Sequence, residues 1–130
     1  MTGVQTCALP IYAPRTGDFD VRVCVTRLPF VGNNWSKAGL NVRESFDAGS
    51  RMVWTYPTPT NGSGLYEGAV RQDNAGSVFD YGEPRPLVGQ FPSYVRIVRA
   101  GTNFTTYTSS NNVNWVVLGA TFSTDRKSVV

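Results

Sequence analysis

Along most of this chain, apolar and polar residues alternate every second position in short runs. Asp18 to Arg27 is the clearest run: Phe19, Val21, Val23 and Val25 fall on one face, and Asp20, Arg22, Cys24 and Thr26 on the other. A period of two marks a strand with one buried face, because successive side chains leave opposite sides of the backbone. Gly32-Asn-Asn34 follows as a turn. Lys37 to Glu44 reads as the next strand, with Leu40 and Val42 inward; Gly39 inside it predicts a close backbone approach or a bulge. Arg51 to Tyr56 places Met52, Trp54 and Tyr56 on one face. Pro57 to Gly64 is a loop on its proline and glycine content. Leu65 to Arg71 and Ser77 to Tyr81 read as strands, and Gly82 to Pro86 breaks the sheet. Tyr94 to Arg99 and Asn103 to Thr108 form a hairpin over Ala100-Gly-Thr102. Val113 to Leu118 is the last strand, after a turn at Ser109 to Asn112.

No segment has the 3.6-residue apolar period of a capped helix. Short strands separated by turn clusters predict an all-β sandwich or jelly roll. The chain shows no internal repeat and no linker, so it is read as one domain.

The two ends read differently. Met1 to Ile11 resembles the translation of a sequencing adapter, and Asp125 to Val130 resembles the same kind of adapter read in the other sense. Foreign segments are set aside before fold reasoning. The expected domain is then residues 12–124, incomplete at both ends, and it should expose sheet edges. Cys7 goes with the first segment, so Cys24 stands alone, with no disulfide framework or metal cluster to join.

Charge changes this picture little. Lysine and arginine number 12 against 9 acidic residues; without Asp125, Arg126 and Lys127 the balance is 10 against 8, net +2. These charges are scattered, which argues against a nucleic-acid partner. No apolar run approaches the ~20 residues of a membrane span. The chain has no histidine. The commonest general base and metal ligand is therefore missing, and Ser-His-Asp or Cys-His catalysis has no place in it.

Lys37-Ala-Gly-Leu40 with Arg43-Glu-Ser45 forms one motif. Tyr94-Val-Arg-Ile-Val-Arg99 with Gly101, Phe104, Tyr107, Ser109-Ser110 and Trp115 forms another. With Gly17 to Val23, their order and spacing resemble a family of bacterial concanavalin A-like β-sandwich modules, related in fold to laminin G-like and legume-lectin domains. That family usually has Asp-Gly in the last turn, where Asn111-Asn112 stands here; asparagine also tolerates the left-handed backbone such a turn needs. The resemblance implies an all-β, concanavalin A-like or laminin G-like jelly-roll β-sandwich. It also implies an extracellular or cell-surface setting and attachment to further domains of the same parent chain.

The function implied is a non-catalytic module that binds polysaccharide or another glycan. The alternatives are a structural spacer or interaction domain with no small ligand, and a fragment of a glycoside hydrolase whose acids lie elsewhere. Concanavalin A-like glycanases place two carboxylates on one strand, two or four residues apart, so that both share a face. Asp18 and Asp20 alone have that spacing on a predicted strand, and two solvated acids at a sheet edge is their expected role. Glu44 is expected to partner a nearby cation or backbone amide.

Sugar-binding sandwiches stack aromatic faces on sugar rings. Trp54, Tyr56, Tyr66 and Tyr81 lie where such a platform could form, competing with core burial for the same rings; Trp54, Tyr56 and Tyr66 are its candidate contacts, and Arg43 is a further candidate ligand contact. Trp35 is either an exposed anchor or a lid over the core edge, and Trp115 is expected in the core. Asp47, Asp73, Asn74 and Asp80 are oxygen donors too dispersed for a calcium loop. No metal or other cofactor is expected.

Overall fold

A computed structural model of the chain describes residues 12–59, 64–81, 86, 88–119, 122–123 and 128–129. The expected foreign segment 1–11, most of 125–130, and residues 82–85 of the expected sheet break lie outside them. The strands are β1 (Arg15–Thr16), β2 (Phe19–Val25), β3 (Leu40–Arg43), β4 (Met52–Pro57), β5 (Tyr66–Arg71), β6 (Phe79–Tyr81), β7 (Ser93–Ala100), β8 (Asn103–Ser109), β9 (Val116–Val117), β10 (Phe122–Ser123) and β11 (Ser128–Val129). No described residue is helical.

Two antiparallel sheets face each other. One runs β10–β8–β7–β2, with β9 also on β8, and the other runs β3–β4–β5–β6. β1 pairs separately with β11, Arg15 opposite Val129 and Thr16 opposite Ser128. The core lies between the sheets and takes side chains from both. Val42, Val53 and Val70 meet Ile97 and Phe104, with Phe19, Val21, Leu40 and Tyr81 packed on them. Tyr66, Val88, Val95 and Leu118 form a second cluster. Burying these side chains out of water is the main drive for closing the sandwich.

The period-two runs place the strands as expected. In β2 the side chains of Phe19, Val21, Val23 and Val25 are buried or half-buried, while Asp20, Arg22 and Cys24 are exposed. β7 alternates in the same way, with Ser93, Val95, Ile97 and Arg99 inward. The hairpin between β7 and β8 turns at Gly101, whose φ of 61° suits glycine. Gly39 sits where a close approach was expected: a Cβ there would stand 2.1 Å from the Thr55 carbonyl oxygen and 2.8 Å from Tyr56 Cα. The segment before β3 therefore lies flat against β4.

Three expectations are corrected. The strand expected from Lys37 to Glu44 is confined to Leu40–Arg43, so Lys37 and Gly39 precede it. The strand expected from Val113 to Leu118 shrinks to Val116–Val117. Asn111 Oδ1 accepts from the backbone N–H groups of Val113 and Asn114, at 2.9 and 2.8 Å, which holds those residues in a turn. Trp115 is not in the core. It lies on the outer face of the five-stranded sheet, where the Arg96 guanidinium sits 5.6 Å from its ring centre and 5.1 Å from that of Tyr107.

Candidate functional site

The outer face of the four-stranded sheet gathers the residues that can meet a ligand. Register fixes which ones. In β4, Val53, Thr55 and Pro57 face the core, so Met52, Trp54 and Tyr56 face outward. Tyr56 stands opposite Glu67 and Trp54 opposite Ala69, which brings Glu67 and Ala69 of β5 onto the same face. Asp80 of β6 stands opposite Ala69, and so one diagonal step from Glu67. The expected grouping of Met52, Trp54 and Tyr56 is present, and two carboxylates from neighbouring strands join it.

A groove of about 540 Å³ opens on this face, lined by Trp35, Lys37, Met52, Trp54, Tyr56, Glu67, Ala69, Val78 and Asp80. The Trp54 and Tyr56 rings lie 4.7 Å apart between centres, tilted at 53°. Tyr56 is 2% exposed and Glu67 3%, whereas Trp35 is 55% exposed. Tyr56 and Glu67 therefore make the floor and Trp35 the rim. The Lys37 ammonium lies 5.3 Å from the Tyr56 ring centre and 6.0 Å from that of Trp35. Ring faces hold cations at such distances. The flat course of the chain over Gly39 is what lets Lys37 reach β4.

A phenol from the core side supports this floor. The Tyr81 hydroxyl donates to the Trp54 carbonyl at 2.8 Å, passing over Gly68 of β5. Burial pushes the Tyr81 phenol well above its ordinary pKa. The phenol stays protonated and able to donate, so the backbone beneath Trp54 is fixed from below.

The candidate contacts divide. Trp54 and Tyr56 line the groove together, and Trp35 stands exposed at its rim. Tyr66 points the other way, into the second core cluster, where its hydroxyl donates to the Ser109 carbonyl at 3.1 Å. Burial pushes its phenol up. Tyr66 thus joins the two sheets and does not line the groove. Arg43 shares the outer face but clamps the loop that follows it, donating to the Asp47 carbonyl at 2.7 Å and to Ser50 Oγ at 3.1 and 3.2 Å.

The remaining candidate acids make structural contacts. Asp18 Oδ1 accepts from the Gly101 N–H at 2.6 Å, tying the β7–β8 turn to the start of β2. Asp20 accepts from Arg96 through both carboxylate oxygens. Glu44 pairs with Arg51 at 3.1 Å, the cation partner expected of it.

Sequence reasoning missed Glu67, Asp80 and Lys37 as groove residues. Spacing along a single strand brings none of them together; cross-strand register and the crossing at Gly39 do. Gly39 was the one legible signal, since it marked where another segment lies close to β4.

No family model, curated protein or solved structure matches this chain.

Proposed function

We propose that this chain is a non-catalytic, concanavalin A-like or laminin G-like jelly-roll module that binds polysaccharide. It would serve a larger extracellular or cell-surface protein, with the neighbouring domains of that protein as its other partners. The observation that carries this reading is the outer-face groove. Three aromatic side chains, Trp35, Trp54 and Tyr56, line it beside the polar groups of Lys37, Glu67 and Asp80. Pyranose rings offer apolar C–H faces to stack on indole and phenol rings, and hydroxyls for charged and polar groups to orient. A concave site with aromatic walls and a few convergent polar groups is the usual form of a small-ligand site. Support for the fold assignment comes from the two facing antiparallel sheets and the motif spacing around Lys37–Leu40 and Tyr94–Trp115.

Affinity electrophoresis through gels containing a panel of polysaccharides tests this reading. Retardation by at least one polymer is expected. Trp54→Ala should weaken it by about 2 kcal/mol, roughly thirtyfold, the scale of a central aromatic anchor. Trp35 is 55% exposed at the groove rim, so Trp35→Ala should also weaken retardation while leaving the thermal midpoint close to that of the parent. Absence of retardation across the whole panel would replace this reading with that of a spacer.

A further inference from the structure

We propose that two copies of this chain dock edge to edge through β2, in one antiparallel register centred on Val21. β2 is seven residues long and, among the described strands, pairs on one side only, with β7. An open strand edge presents unpaired N–H and C=O groups that another strand can take up. The inward side chains Phe19, Val21 and Val23 are only half-buried, whereas Val95 and Ile97 of the neighbouring β7 are fully buried. The core is incompletely covered at this edge, and an added strand would cover it.

Charge selects a second copy and the register. Phe19, Val21, Val23 and Val25 face inward, so an added β2 keeps its apolar face inward only where odd-numbered residues oppose odd-numbered ones. A two-fold axis through Asp20 would set Asp20 against Asp20, and one through Arg22 would set Arg22 against Arg22; like charges directly opposite are unfavourable. An axis through Val23 opposes no charges at all, with Arg22 facing Cys24 and Asp20 facing Thr26. An axis through Val21 opposes Asp20 to Arg22 of the second copy twice over, and Phe19 to its Val23. Both charged groups have capacity for this. Arg22 stands opposite Arg96 in its own sheet, and its hydrogen bond goes to the neutral Asn112 side chain at 3.3 Å. Asp20 is 53% exposed and gives Arg96 one bond from each oxygen, where a carboxylate has about four acceptor sites.

Such an axis runs normal to the sheet. The two five-stranded sheets join into one, and both four-stranded sheets lie on the same side of it. The two grooves then open in the same direction. One polysaccharide can bridge them, which makes the second binding event intramolecular. This use, unlike the dimer itself, rests on the polysaccharide-binding reading above.

Sedimentation equilibrium of the whole chain, with no glycan present, tests the dimer. A single strand pair is a small interface, so a weak dimer that forms as concentration rises is expected. Arg22→Asp and Asp20→Arg should each raise its dissociation constant roughly tenfold, because each turns two opposite-charge pairs into like-charge pairs. An equimolar mixture of the two variants should regain the dimer, since every Asp again meets an Arg; variants that had merely unfolded would not rescue each other. A monomer at every concentration, a dimer indifferent to either substitution, or a mixture that stays monomeric would each overturn the proposal. Retardation by a polysaccharide should also weaken in Arg22→Asp; undiminished retardation beside a lost dimer would refute the bridging use and leave both the dimer and the polysaccharide reading in place.

Discussion

Gly68 owes its place to Tyr81. A Cβ on Gly68 would stand 2.0 Å from Tyr81 Cζ, so the phenol can cross β5 to the Trp54 carbonyl because no side chain blocks it. Gly68→Ala must push the ring aside, and overpacking of this kind costs about 1–3 kcal/mol. We expect a thermal melt to show that loss. Gly68→Ala added to Tyr81→Ala should cost much less than Gly68→Ala alone, because the ring it strikes is gone. Additive losses in this double-mutant cycle would show that Gly68 serves some other purpose.

Among the elements, the turn between β8 and β9 depends on one backbone angle. Asn112 has φ of 60°, a left-handed conformation that side chains branched at Cβ resist, and Ser109 Oγ accepts from its N–H at 2.9 Å. Asn112→Val should destabilise by about 1–2 kcal/mol, whereas Asn112→Gly should be near neutral; chemical denaturation of both variants checks the pair. This turn also shows what the sequence makes legible. Asn111-Asn112 announces a left-handed turn, and Phe19 to Val25 and Tyr94 to Arg99 announce half-buried strands, because turn chemistry and the period of two are local properties. The side of the sheet that Trp115 takes is not local. Arg96 draws the indole to the outer face, and Arg96 is distant in sequence and reaches it through the sheet. The groove is illegible for the same reason: Glu67, Asp80 and Lys37 belong to three segments whose meeting depends on register and on the approach at Gly39. Tyr66 misleads because a tyrosine at the start of a strand suits a platform and a core equally well until its facing direction is known.

For the molecule as a whole, β2 pairs in its sheet with β7 alone among the described strands, and the Asp20–Arg96 pair spans that junction. The Arg96 hydrogen bond holds the Asp20 carboxyl below its ordinary value, against a smaller opposing effect of burial. A depressed folded pKa means that the pair's stabilisation is fully present above the unfolded aspartate value of about 3.9 and is lost as pH falls through the folded value. Asp20 is 53% exposed, so solvent screening limits the contribution to below about 1 kcal/mol. Thermal melts from neutral pH down into the acid range should show a shallower decline for Asp20→Asn than for the parent, with the two curves converging at the acid end. Identical curves would show that the pair adds no stability to the junction. At this scale the positions of the three tryptophans also acquire a use. Trp35 and Trp54 line the groove, while Trp115 lies on the opposite sheet against Arg96. Occupation of the groove should therefore shift and quench the emission of two indoles and leave the third as a constant reference. The protein carries its own optical reporter of binding, and Trp115→Phe would leave a signal that comes from the groove alone.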